Sequence, residues 1–188
     1  MKNKLIDNSI EQHKKIINSV DKEKIFKASE MIINAIDNKS TIFWCGNGGS
    51  ASQANHLSAE LVGGMYKKKI SPFNSLCLNT DTAFITAWSN DDSFENIFSR
   101  QLEAYGKEKD LIIVLSTSGN SKNIINVSNY ARENNIKVIT LTGASGGELA
   151  NLSNLMINID CESTQRIQEM HILVGHIICD LVENHYNL

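Results

Sequence analysis

His56 and Glu60 stand four residues apart in the segment 43–61, FWCGNGGSASQANHLSAEL. On an α-helix that spacing puts an imidazole and a carboxylate on one face. The pair could work as acid and base, or hold a metal ion. Its order, His-x-x-x-Glu, is not the H-E-x-x-H of zinc proteases. Just before it comes Gly46-Asn47-Gly48-Gly49-Ser50-Ala51, a glycine-rich turn between an apolar strand and the helix. The N–H groups at such a helix start can hold an anion. Formally the turn matches the dinucleotide fingerprint G-x-G-x-x-A. That fingerprint also wants an acid about 20 residues on, to bind a ribose hydroxyl. Residues 65–72 read MYKKKISP, and the next acid is Asp81. The sequence therefore argues against a nucleotide cofactor. A Walker loop is excluded because no G-K-[ST] follows the glycines.

A second loop, Ser116-Thr117-Ser118-Gly119-Asn120-Ser121, joins an apolar strand to a helix. A helix cap needs one hydroxyl, whereas this loop offers four. With the free N–H groups of the helix start they make a cradle for one phosphate. The loop holds no Lys or Arg, so it suits a sugar phosphate better than a polyphosphate with magnesium. The C-terminal region adds Gln168, Glu169, His171 and His176. Eight helical residues put His176 roughly 80° around from Gln168, so both can border one site. His171 falls on the other side of Gln168 and reads as structural or surface. Taken alone, His176 within Leu173-Val174-Gly175-His176-Ile177-Ile178 could equally be a core histidine.

Rigid elements must hold these groups in place. Residues 3–20, with Leu5, Ile6, Ile10, Ile16, Ile17 and Val20, have helical period, as do residues 22–37, with Ile25, Ala28, Met31, Ile32, Ala35 and Ile36. Strand and helix signals then alternate. Strands are expected at 41–45, 74–78, 110–115, 137–141 and, more weakly, 155–159. Helices are expected at 50–63, in pieces over 81–104, at 121–134, briefly at 147–152, and at 162–187. DLIIVL at 110–115 is nearly all apolar, as a parallel strand covered on both faces should be. This alternation predicts an α/β fold, a doubly wound parallel sheet sandwiched by helices.

The chain of 188 residues fits one domain over 1–188. Residues 1–38 would pack on the core or on a neighbouring subunit. A net charge of −3 gives no general attraction to nucleic acid or an anionic membrane. The basic run Lys67-Lys68-Lys69 reads as a solvated loop. Cys45, Cys77, Cys161 and Cys179 form no C-x-x-C pair, which argues against a disulfide framework and suits a reducing cytoplasm. The N-terminus lacks the apolar segment of a secretory signal, and no run approaches the length of a membrane span.

Taken together, CGNGGS, His56-x-x-x-Glu60, LSTSGNS, LTG-x-x-GG and RIQE-x-H-x-x-x-x-H resemble the phosphoheptose isomerase family of the sugar isomerase (SIS) superfamily. The resemblance runs over nearly the whole chain. It implies an SIS-type fold, a homotetramer with active sites at subunit interfaces, and a small sugar phosphate as partner. The implied reaction converts sedoheptulose 7-phosphate to D-glycero-D-manno-heptose 7-phosphate for bacterial surface heptose, as in lipopolysaccharide. By the same resemblance, substrate contacts fall on Asn47, Gly48, Gly49, Glu60, Asn90, Asp91, Ser116, Thr117, Ser118, Ser121 and Gln168. One zinc ion per subunit would be held by His56, Glu60, Gln168 and His176. Glu60 and His176 match the acid–base pair, Glu60 acting at carbon and His176 at oxygen.

Two other readings share this scaffold. One is a tetrameric protein that associates with a replication initiator. In that relative the second histidine of the C-terminal motif is replaced, whereas His176 is present here, which favours the enzyme. The other is an isomerase of a different phosphosugar.

Overall fold

The apolar runs expected to be strands assemble into one five-stranded, all-parallel sheet in a computed structural model that describes residues 2–66 and 71–187. Its strands are β1 (Ile42–Gly46), β2 (Ser75–Cys77), β3 (Leu111–Ser116), β4 (Lys137–Gly143) and β5 (Leu155–Ile159), in the order β2-β1-β3-β4-β5. Every residue of β1 and β3 is buried, because helices cover both sheet faces there. At the edge, β5 buries only alternate residues. The Lys67-Lys68-Lys69 run lies outside the described residues.

One face carries α1 (Lys2–Ile17), α2 (Lys22–Asp37), α3 (Gly49–Gly63) and α7 (Thr164–Tyr186). The other carries α4 (Thr82–Asp91), α5 (Ile97–Tyr105) and α6 (Lys122–Glu133). In α2 the predicted periodicity is used directly: Ile25, Ala28, Ile32 and Ala35 are buried, and the helix packs along α7. Asp21 caps α2, its carboxylate accepting from the N–H groups of Glu23 and Lys24 at 3.1 Å each.

Two local readings shift, while the helical pieces expected over 81–104 resolve into α4, a 3-10 turn at Phe94–Asn96, and α5. Ser93 starts the turn by accepting from Glu95 N–H at 2.9 Å. Segment 147–152 is a 3-10 turn, Gly147–Asn151, entered through left-handed Gly146 and Gly147. Asp110 precedes β3 instead of opening it. Its buried carboxylate accepts from Thr41 N–H and Lys107 N–H, both at 2.8 Å, and ties the entry of β3 to that of β1.

Candidate active site

The chain leaves β1 towards β2 and leaves β3 towards β4, in opposite directions across the sheet. That reversal opens a crevice at the carboxyl ends of β1 and β3, where open α/β sheets bind ligands. The glycine turn and the serine loop line it. Gly48, at φ 55°, carries the chain from β1 into α3 in a conformation that favours glycine. Among the described residues no protein acceptor meets the N–H of Gly48 or Gly49. The turn is held from the strand side by Asn79. Its Oδ1 accepts from Gly46 N–H at 3.2 Å and its Nδ2 donates to Gly46 O at 2.9 Å. From the other side Asn47 pairs with Asn123, each Nδ2 donating to the other Oδ1 at 2.8 Å.

In the serine loop, Ser116 Oγ and Ser121 Oγ lie 3.2 Å apart. Ser118 Oγ accepts from Asn120 N–H at 3.2 Å. Ser121 makes no side-chain cap on α6, so capping does not explain it. Among the described residues no protein acceptor meets the first N–H groups of α6, at Lys122 and Asn123. Thr117 O accepts from Gly143 N–H at 3.1 Å, and Asn120 Oδ1 accepts from Glu148 N–H at 2.9 Å, which ties the loop to the next one. The adjacent cation, Lys122, reaches outward to Glu95 at 3.0 Å, both exposed. The two helix starts thus face the crevice with neutral donors and positive dipole ends.

His56 and Glu60 project from α3, and His176 from α7. Gly175 lets the two helices approach, because a Cβ there would run into the Leu57 side chain. His56 Nε2 lies 2.8 Å from His176 Nε2 and 3.3 Å from Glu60 Oε1. The imidazoles meet edge to face, 5.0 Å between centroids. One ligand atom from each of the three residues falls within 4.8 Å of the others. Donors around a tetrahedral zinc ion, at about 2.0–2.2 Å from it, stand about 3.3 Å from one another. The two nitrogens and one oxygen fit such an ion in type, and the His56–Glu60 separation matches that spacing, while the two nitrogens stand closer than zinc would hold them. The Gln168 amide packs elsewhere, against Gly49, where a Cβ would come within 2.7 Å of its Nε2. That point is roughly two turns of α3 before His56.

Asn90 and Asp91 end α4, exposed, with Asn90 Nδ2 donating to Asp91 Oδ1 at 2.8 Å. Among the described residues no hydrogen bond joins them to the other candidates. His171 is wholly buried, and its ring Nε2 meets Thr142 O at 3.2 Å. Burial pushes its pKa down to about 4, so it is neutral near pH 7 and structural. Glu169 turns from the crevice to His13 of α1 at 2.9 Å and to Arg166 at 2.6 Å. Sequence reasoning passed over Asn79 and Asn123. Their signal was an amide two residues beyond the end of β2 for Asn79, and one two residues beyond the serine loop for Asn123.

Sheet order, crevice and loops together define a class, the SIS-type α/β sandwich, and the SIS domain family matches residues 7–143. A phosphoheptose isomerase of Helicobacter pylori strain P12 is 42% identical over 164 residues, 87% of this chain and 85% of that protein. One from Sulfurimonas denitrificans is 43% identical over 178 residues, 95% of this chain and 88% of that protein. The solved phosphoheptose isomerase of Neisseria gonorrhoeae superposes with a TM-score of 0.89 at 34% identity, covering 97% of this chain and 98% of that one. The Francisella tularensis structure gives 0.89 at 32% identity, covering 97% and 96%. The chain belongs to the phosphoheptose isomerase family of SIS proteins and is an isomerase.

Proposed function

We propose that this chain interconverts sedoheptulose 7-phosphate and D-glycero-D-manno-heptose 7-phosphate, for heptose biosynthesis, through an enediol. The observation that carries the reading is the convergence of Glu60 and His176 from two helices, on a fold whose crevice carries two loops of neutral donors. The phosphate would sit on the helix starts of the crevice, touched by Ser116, Thr117, Ser118 and Ser121. Asn47, Gly48, Gly49, Asn90, Asp91 and Gln168 would complete the substrate contacts.

Isomerisation moves one proton between C1 and C2. Glu60 takes the proton from C1 of the ketose while His176 gives one to the C2 oxygen, forming the enediol. The C1 hydroxyl then returns its proton to His176, and Glu60 delivers its proton to C2, leaving the aldehyde. No proton is lost and no oxidant is needed. An imidazole suits the oxygen role because it exchanges protons near neutral pH. His56, Glu60 and His176 would hold zinc; Gln168, whose amide lies against Gly49, would have to leave that glycine to join them as a fourth ligand. When bound, the ion supplies polarisation of substrate oxygens.

We further propose a single SIS domain over 1–188, a homotetramer with the crevice at a subunit interface, a cytoplasmic location and lipopolysaccharide heptose as the destination. Among the described residues no helix is long and apolar enough to cross a membrane. The test is to follow sedoheptulose 7-phosphate by NMR in the presence of the protein. Appearance of the aldose is expected. No aldose, with turnover of another ketose phosphate, would redirect the assignment.

A further inference from the structure

Asn123 is unused by the mechanism above. It is the second residue of α6, two positions beyond the serine loop, and only 1% exposed. An amide buried this deeply must find partners or cost stability. Asn123 finds both in one side chain, the Asn47 amide, through a closed pair of bonds at 2.8 Å each. Asn47 lies between β1 and Gly48, so the pair spans the crevice. It joins the glycine turn to the helix that the serine loop feeds.

We propose that Asn123 is a positioning residue for the isomerase. It holds the Asn47 amide in one orientation and keeps the two loops at a set separation, so that both engage one sugar phosphate. The inference rests on the proposed use of Asn47 in substrate binding. A carboxamide has two N–H bonds and an oxygen with two lone pairs. The pair uses one of each on Asn47 and leaves one of each, already oriented, for substrate hydroxyls. Without Asn123 the Asn47 side chain would be ordered only on binding, which weakens affinity and misaligns the sugar. Asn79 does not duplicate this role, because it grips the Gly46 backbone and not the Asn47 side chain.

A double-mutant cycle reads this directly. Wild type, Asn123→Ala, Asn47→Ala and the double variant are assayed on sedoheptulose 7-phosphate, with melting temperatures measured alongside. Asn123→Ala is expected to lower kcat/KM about tenfold or more. In the Asn47→Ala background it should cost less than about twofold, because its route of action is already gone. The same factor in both backgrounds, or a folded Asn123→Ala with wild-type kcat/KM, would overturn the inference and leave the proposed function standing. An inactive wild type would overturn the proposed function, and this inference with it. Should Asn123→Ala fail to fold, Asn123→Asp decides. Its ionised carboxylate accepts from Asn47 Nδ2 but cannot donate to Asn47 Oδ1, whereas the protonated acid can. Burial at this position raises the new carboxyl above the ordinary Asp value, so activity relative to wild type should recover as pH falls from about 8 towards about 5. A ratio that does not move with pH would sink the proposal.

Discussion

Glu60 carries the sharpest prediction at the scale of single residues. Glu60→Gln keeps size and one acceptor oxygen but removes the base. Turnover of sedoheptulose 7-phosphate should fall by about 100-fold or more, while binding of the sugar phosphate, measured separately, stays within a few-fold. Unchanged turnover would remove Glu60 from the chemistry. Metal content is a separate question. Protein purified without a histidine tag should carry about one zinc per chain, and chelation should lower activity. Full activity in a metal-free preparation would discard zinc. His171 makes a different prediction, about stability. Its folded pKa of about 4 lies below the ordinary 6.5. Between those values the unfolded chain binds more protons, so stability rises with pH and is lost as pH falls below 6.5 towards 4. The full loss is about 3 kcal/mol. His171→Gln should flatten that part of a denaturation-versus-pH curve. An unchanged slope would assign the dependence to other groups.

Gly49 and Gly119 separate two kinds of constraint on the elements. A Cβ at Gly49, inside α3, meets only the far end of the Gln168 side chain. Gly49→Ala should therefore leave the melting temperature near wild type, helped by the better helix propensity of alanine. The displaced Gln168 amide should nevertheless lower kcat/KM by about tenfold or more. Equal activity would take Gln168 out of the site. At Gly119, φ is 67° and a Cβ would collide with the backbone of Gly146, which cannot rotate away. Gly119→Ala should lose stability and activity together, read by melting temperature and turnover in the same sample. The element boundaries show the same division between local and distant causes. The helical period of 22–37 was legible because half its face meets a neighbour. The helical pieces over 81–104 were legible as well, but where the break falls was not, because the Ser93 turn packs against α6 across the fold.

For the whole molecule, the informative surface is α1. Leu5 is 66% exposed, Ile6 59%, Ile10 48% and Ile17 42%. Arg166 donates to Ser9 O at 2.7 Å and anchors the helix to α7, yet most of its apolar side chains face outward. A surface of this kind wants a partner. Sedimentation should give four copies per particle, and Leu5→Lys with Ile10→Lys should reduce that mass. A monomeric wild type would remove the tetramer from the proposal. The sequence by itself determined the parallel α/β sandwich, the two loops that open α3 and α6, and the His56–Glu60 pair. Each is a local pattern, written in periodicity or spacing within a few turns of chain. Only the tertiary structure decided that His176 meets His56, that His171 is buried and neutral, that Gln168 lies on Gly49, and that Asn123 grips Asn47. Those contacts join residues far apart in the chain. Their partners are chosen by how β1, β3, α6 and α7 pack, which no local pattern encodes.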